Sequence, residues 1–295
     1  MFLTFRSFPQ SIRWCGLIMV AGVVLVSCGP TSNQPAGPVS AYDRAKDAFK
    51  SGQLDKALEL TEKLARTTPP ADSTENARVL RAVIYTGELK AASGLAEAYS
   101  KGAEKSKNPR FQADYRRLHN DSLSNAAKAA LNLAETAHQI APDGVIAKEL
   151  TLDASYPTTE GPLDIKELAR VKEGGWIESD QQESASMEAL RKGVDNALAD
   201  VISGDRAKAR QALAGGSVKL NGAAFALFLS KELADGAVVF DRHHGRDPQK
   251  LIALCDEGDV TVKAALALLK DTPNKDQSAE IKKLQDKFKT IRVDK

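Results

Sequence analysis

The stretch that decides the fold is residues 41–69, which read AYDRAKDAFKSGQLDKALELTEKLARTTP. The small residues Ala45 and Ala57 stand where they let two antiparallel helices approach closely. Gly52, between them, supplies the backbone freedom of a tight turn, and Pro69 stands where a second helix has to stop. The pattern predicts a helical hairpin with one apolar seam.

This spacing resembles a tetratricopeptide (TPR) repeat, and two weaker copies follow it. In the first copy Gly87 lies 35 residues after Gly52, and in the second Asn125 replaces the turn glycine. The resemblance implies paired short helices over residues 40–142, with turns at Gly87 and Asn125, stacked into a solenoid. An irregular helical bundle with alanine-rich seams is the alternative.

Residues 143–180 break this pattern with several Pro, Gly and Thr residues. They predict a connecting loop region with one short helix over residues 164–172. Trp176 follows two glycines in this region, and we expect it to fold back against a core, although an exposed contact residue is the alternative.

The last part of the chain, residues 181–295, predicts a second helical, TPR-like half with turns at Gly204 and Gly258. A charged amphipathic helix over residues 278–291 is suited to cap the end of a stack of helices. The fold class expected is therefore all-α, a TPR-like α–α hairpin solenoid behind a signal peptide and a flexible tether.

The amino terminus has the layout of a secretory signal. Arg6 and Arg13 precede an apolar run that ends at Val26. The continuous part of this run is too short for a membrane helix, which needs about 20 apolar residues. The segment therefore predicts a signal peptide rather than a membrane span.

The apolar run closes with LVSCG at residues 25–29, which resembles the bacterial lipobox. The resemblance implies a lipoprotein signal peptide over residues 1–27, a lipid on Cys28 and a flexible tether over residues 28–39. Gly29, which is not an aspartate, implies sorting to the outer membrane with the body facing the periplasm. An ordinary signal with a stray cysteine is the alternative.

Charge and cysteine content narrow the function classes. The full chain has 41 Lys and Arg against 39 Asp and Glu, and loss of Arg6 and Arg13 with the signal leaves 39 of each sign. Without a clustered basic excess, we expect no nucleic-acid partner.

Cys15 leaves with the signal and Cys28 takes the lipid, so Cys255 stands alone and no intrachain disulfide can form. Its apolar neighbours predict that Cys255 is buried.

The TPR resemblance also implies a concave groove lined by the first helix of each repeat. The residues that it assigns to this partner-binding groove are Tyr42, Lys46, Phe49, Lys50, Arg81, Ile84, Tyr85, Tyr115 and His119. Aromatic and cationic side chains together suit an extended or helical peptide with some acidic character. The alternative is that the apolar members belong to the core and the cations are solvated. The paired asparagines of the carboxylate-clamp TPR pattern are absent.

One cluster, DRHHGRD at residues 241–247, has the side-chain types of a metal site. His243 and His244 are adjacent, however, and adjacent residues rarely face one metal together. We therefore interpret the cluster as a polar connection before a helix that Asp247 caps and Pro248 begins.

Together these patterns predict a non-catalytic interaction scaffold or adaptor of the cell envelope, without metal or cofactor. It binds envelope proteins or peptides through the groove and the membrane through the lipid on Cys28. One alternative is a metal-dependent hydrolase centred on His243 and His244. Another is a structural envelope lipoprotein that associates with itself.

Overall fold

The computed structural model describes residues 40–67, 72–157, 166–202, 204–244, 247–269 and 275–293. These residues form ten α-helices and one two-stranded antiparallel sheet, so the prediction of an all-α body is confirmed apart from that sheet. In chain order the elements are α1 (Ala41–Lys50), α2 (Leu54–Ala65), α3 (Asp72–Lys105), α4 (Pro109–Ile140), β1 (Glu149–Leu152), α5 (Lys166–Lys172), α6 (Ser179–Ile202), α7 (Arg206–Ala212), β2 (Val218–Asn221), α8 (Gly222–His244), α9 (Pro248–Leu269) and α10 (Lys275–Val293).

The two longest helices, α3 and α4, make the most extensive contact in the structure. Helices α2, α5 and α6 pack on α3, whereas α8 and α9 pack on α4 and on each other, and α10 covers α9. The largest side chains of the main core are aromatic, and Phe49, Phe225, Phe240 and Phe288 are all fully buried. A smaller core around Tyr115 of α4 also contains side chains of α3, α5 and α6.

Several predicted turns and caps are confirmed. Gly52 and Gly204 have positive φ angles of 75° and 70°, in the region that favours glycine, and each lies between two helices. The Asp247 carboxylate accepts a hydrogen bond from the Lys250 backbone N–H at 3.3 Å, as expected of a residue that caps α9. Asn108, for which no cap was predicted, also caps α4 ahead of Pro109.

The turns predicted at Gly87, Asn125 and Gly258 are wrong, because each residue lies inside a continuous helix. Gly87 lies where α6 crosses α3, and Gly258 lies against the ring of Phe288 in α10. Both glycines serve close helix packing. Asn125 is exposed on α4, where an asparagine costs a helix only a few tenths of a kcal/mol.

The sheet lies within regions for which the sequence predicts no strand. Leu150 pairs with Leu220 and Leu152 with Val218, which joins the predicted connecting region to the segment before α8. Leu150 and Leu152 alternate with more exposed neighbours and are buried. A four-residue strand carries too little alternation to be recognised from sequence.

Candidate functional site

A polar cleft of about 400 Å³ lies beside the first helix. It is lined by α1, by the segment after β1 and by the turn before β2, through Asp43, Lys46, Asp47, Lys50, Asp153, Ser155, Gly215, Gly216 and Ser217. Two of the predicted groove residues, Lys46 and Lys50, are part of this lining. We refer to it below as the α1 cleft.

An ion-pair cluster at Lys46 organises the α1 cleft. The Lys46 ammonium lies 3.1 Å from carboxylate oxygens of both Asp43 and Asp153. Burial alone lowers the pKa of Lys46, but hydrogen bonds to these two carboxylates more than offset it and raise the pKa. Tyr42 adds a hydrogen bond from its hydroxyl to the Asp153 backbone oxygen at 2.7 Å. Burial, together with the charges of Asp153 and Asp43, raises the pKa of Tyr42, so its hydroxyl remains a neutral donor.

Arg81 lies in the contact between α2 and α3. Its guanidinium donates to the Leu58 backbone oxygen and to the Tyr85 hydroxyl, both at 2.8 Å. The guanidinium carbon also lies 5.3 Å from the centre of the Tyr85 ring. Tyr85 itself is only 7% exposed. Arg81 therefore binds both Tyr85, on its own helix, and the backbone of α2.

Phe49, Ile84 and Tyr115 are fully buried, which contradicts their assignment to a partner-facing groove. Phe49 and Ile84 belong to the main core. The Tyr115 hydroxyl donates to the Gly175 backbone oxygen, and its ring packs beside Trp176 at 5.4 Å between centroids. These residues recur at helical spacing because they pack in the core, which is the alternative stated from the sequence.

Trp176 folds back on this smaller core as expected. Its ring stacks on Phe111 with centroids 4.8 Å apart and an angle of 15° between the planes. The residue is half-buried and belongs to the rim of the core around Tyr115. The stack attaches the segment between α5 and α6 to the start of α4.

His119 lies in a separate, smaller cleft of about 210 Å³ with Ser100, Ala103, Glu104 and Arg116. Its Nδ1 is 2.8 Å from the Ala96 backbone oxygen. Because a carbonyl oxygen only accepts, Nδ1 carries the proton and donates. The nine predicted groove residues therefore do not share one surface: Lys46 and Lys50 share the α1 cleft, and His119 lies elsewhere.

Two predicted sites fall on parts of the chain without a side-chain description. Cys28, the signal peptide and the tether lie outside the described residues. The backbone of His243 and His244 ends α8, and their side chains also lie outside the described part. Within the described ranges, no group of three or more His, Cys, Asp or Glu side chains is placed to hold a metal ion. No helix in those ranges is long and apolar enough to cross a membrane.

Sequence reasoning missed a buried ion-pair cluster at Lys90. The Lys90 ammonium on α3 lies 2.8 Å from Glu232 on α8 and 3.1 Å from Asp200 on α6. Glu232 is only 1% exposed. The signal that could have revealed it is a single acid in the strongly apolar stretch that begins α8.

Comparison of the chain with known protein families, with curated proteins and with solved structures finds no match.

Proposed function

We propose that this protein is a membrane-anchored, non-catalytic interaction scaffold of the bacterial cell envelope. A lipid on Cys28 holds the helical body at the outer membrane, where it faces the periplasm and binds envelope proteins or peptides. The lipobox-like residues 25–29 support the anchor. The observation that carries the binding role is the α1 cleft, an open surface that Lys46 and Lys50 line together with acidic residues of the same helix.

The chemistry of the α1 cleft suits protein partners. Asp43, Lys46, Asp47 and Lys50 place both signs of charge along one side of a single helix. Each exposed ion pair contributes only about 0.2–1 kcal/mol, so such a surface selects partners and steers their approach more than it adds affinity. A peptide segment with complementary charges is the ligand class proposed.

We further propose that the TPR resemblance applies to α1 and α2. Ala45 and Ala57 are both fully buried, and Gly52 has the positive φ angle of the turn between them. These are the features that a TPR-like hairpin requires. The longer helices α3 and α4 would continue the stack as an irregular solenoid with larger units.

The anchor is tested with full-length protein expressed in a diderm bacterium, as wild type and as Cys28→Ala. The wild type should be found in the outer-membrane fraction, with a mature amino-terminal peptide that starts at residue 28 and carries acyl mass. The Cys28→Ala variant should lose the acyl mass and leave the membrane fraction. A wild-type protein without acyl mass would refute the anchor.

The binding role is tested by cross-linking in intact cells followed by quantitative mass spectrometry of the captured proteins. Asp47→Lys with Lys50→Glu exchanges two charges in the α1 cleft without changing the net charge. Lys56→Glu with Glu59→Lys makes the same exchange on the exposed side of α2 and is the matched control. A partner lost with the first pair and kept with the second supports the proposal. Recovery of only the protein itself would favour self-association.

A further inference from the structure

A groove that shares no lining residue with the α1 cleft crosses α3. One section, of about 370 Å³, lies between α3, α5 and α6, and a second section, of about 390 Å³, lies between α3 and α8. Both sections are lined by Lys90, Gly94 and Asn196, so they adjoin each other at these residues. A Cβ atom built at Gly94 would meet no atom within 4 Å, which leaves open space above α3 at the junction.

The polar side chains of the first section are all hydrogen-bond donors. They are Lys90, Lys172, Lys192 and Asn196, and no carboxylate among the described residues lines this section. The side-chain oxygen of Asn196 already accepts a hydrogen bond from Arg206 Nε at 3.0 Å, which leaves its NH2 group to donate. The natural complement of such a lining is a group that only accepts, such as a carboxylate.

The positive charge of this section is only partly neutralised. Lys90 is matched by its two carboxylates, and within the described ranges neither Lys172 nor Lys192 has a carboxylate within 4.0 Å. The charge of Lys172 acts on Glu97 from farther away and, after the closer Lys101, helps to lower the pKa of Glu97. In the second section the carboxylates have partners on the protein. Glu97 lies 2.5 Å from Lys101, and Asp235 lies 2.6 Å from Lys287.

The remaining lining of the first section is apolar and small. It consists of Ala91, Leu168, Ala169 and Ala189 with Gly94 and Gly193, and Leu89 continues the apolar surface in the second section. Such a surface can cover the aliphatic parts of a ligand whose charged ends meet the lysines. Each of the two adjoining sections has a volume of several hundred Å³, which is more than a single small anion fills.

From this placement we propose that the groove binds an extended peptide segment of a partner protein, with carboxylates of the peptide against Lys172 and Lys192. The peptide backbone crosses α3 above Gly94, where no side chain obstructs it. This inference rests on the proposed function, since it specifies a second surface and the chemistry of its partner. Charge complementarity and the adjacency of the two sections favour this occupant.

The test uses full-length protein in detergent and a fluorescein-labelled hexaglutamate peptide, with binding measured by fluorescence anisotropy at low ionic strength. The hexaglutamate should bind at least about tenfold more tightly than the matching hexaglutamine peptide. Lys172→Glu with Lys192→Glu should weaken binding by about tenfold or more. Lys56→Glu with Lys63→Glu, an equal charge change on the exposed side of α2, should alter it less than about twofold.

A variant without charge change makes the test independent of general electrostatics. Gly94→Leu fills the open space at the junction and should also weaken hexaglutamate binding by about tenfold, while circular dichroism shows that the protein remains folded. Absence of wild-type binding, or equal weakening by the α2 pair, would overturn the proposal. So would citrate binding as tightly as the peptide, because the groove would then be a small-anion site. None of these results affects the measurement of lipid on Cys28.

Discussion

Gly87 and Gly193 touch where α6 crosses α3, and neither position has room for a side chain. A Cβ atom at Gly193 would overlap the backbone oxygen of Gly87 and lie 3.1 Å from the Cβ of Ala91. A Cβ atom at Gly87 would lie 2.5 Å from the Val194 side chain. The two helices therefore approach through their backbones at this crossing.

Gly193→Ala should destabilise the protein because α6 would have to move away from α3. We expect a loss of about 1–3 kcal/mol in the free energy of unfolding, measured by urea titration. Gly94→Ala is the matched control, since it adds the same methyl group to a helix at an open position. It should be neutral or stabilise by up to about 1 kcal/mol. Equal effects of the two changes would contradict the close crossing.

Lys90→Met should leave Glu232 buried without a counter-charge. Removal of one partner of a buried ion pair costs about 3–5 kcal/mol, which urea unfolding would measure. Replacing both residues, as Lys90→Met with Glu232→Leu, should recover most of that loss, because no fully buried charge then lacks a partner. Asp200 also loses its partner in both variants, but its side chain is 34% exposed and remains solvated. If the double variant is as unstable as Lys90→Met, the buried pair does not explain the cost.

Glu88 should make stability fall as the pH rises. Burial raises the pKa of Glu88 to about 7, with a further contribution from Asp55 that Lys128 and Arg81 oppose. Because this folded-state pKa lies above the ordinary value of 4.5, folding favours the protonated form. That contribution is complete below about pH 4.5 and is lost as the pH rises through about 7.

The variant Glu88→Gln tests this dependence, because its side chain stays neutral at every pH. Between pH 5 and pH 8 the wild type should lose up to about 3 kcal/mol more unfolding free energy than the variant does. Glu59→Gln, on the exposed side of α2, is the control and should follow the wild-type profile. A Glu88→Gln profile parallel to that of the wild type would contradict the prediction.

Cys255 should react with thiol reagents only after unfolding. Its side chain is fully buried, and burial raises the pKa of the thiol to about 11. Because the thiolate is the reactive form, iodoacetamide at pH 8 should modify Cys255 more than about 100-fold faster in concentrated urea than in buffer. Peptide mass spectrometry identifies the modified residue. Fast modification in buffer would mean that α9 opens readily.

The sequence predicted most helices because periodic apolar residues and caps are local signals. The helix over residues 278–291 and the helix that begins at Pro248 are present as expected. The prediction failed at glycines, because a glycine can either form a turn or allow two helices to pack closely. Gly52 is a turn and Gly87 is a crossing point, and only the position of a partner helix distinguishes them.

The candidate sites were less predictable than the helices. Lys46 and Lys50 do line a cleft, but its other walls come from residues more than 100 positions later, which a repeat pattern on one helix could not supply. Phe49 and Tyr115 have the side chains of a binding surface and lie in the core instead. Lys172 and Lys192 were not predicted as site residues, because the sequence around a single lysine does not show whether a carboxylate lies next to it in the folded protein.

The bonds that join α1 to Asp153 have a mechanical consequence. A pull on the chain at Ser40 loads α1 first, and α1 is fastened sideways by the Tyr42 hydroxyl and the Lys46 ammonium to the residue directly after β1. Because β1 is paired with β2, the applied force is also transmitted to β2, which lies far along the chain. When force is applied to the folded body at its amino-terminal end, two side-chain bonds therefore have to break before α1 can detach.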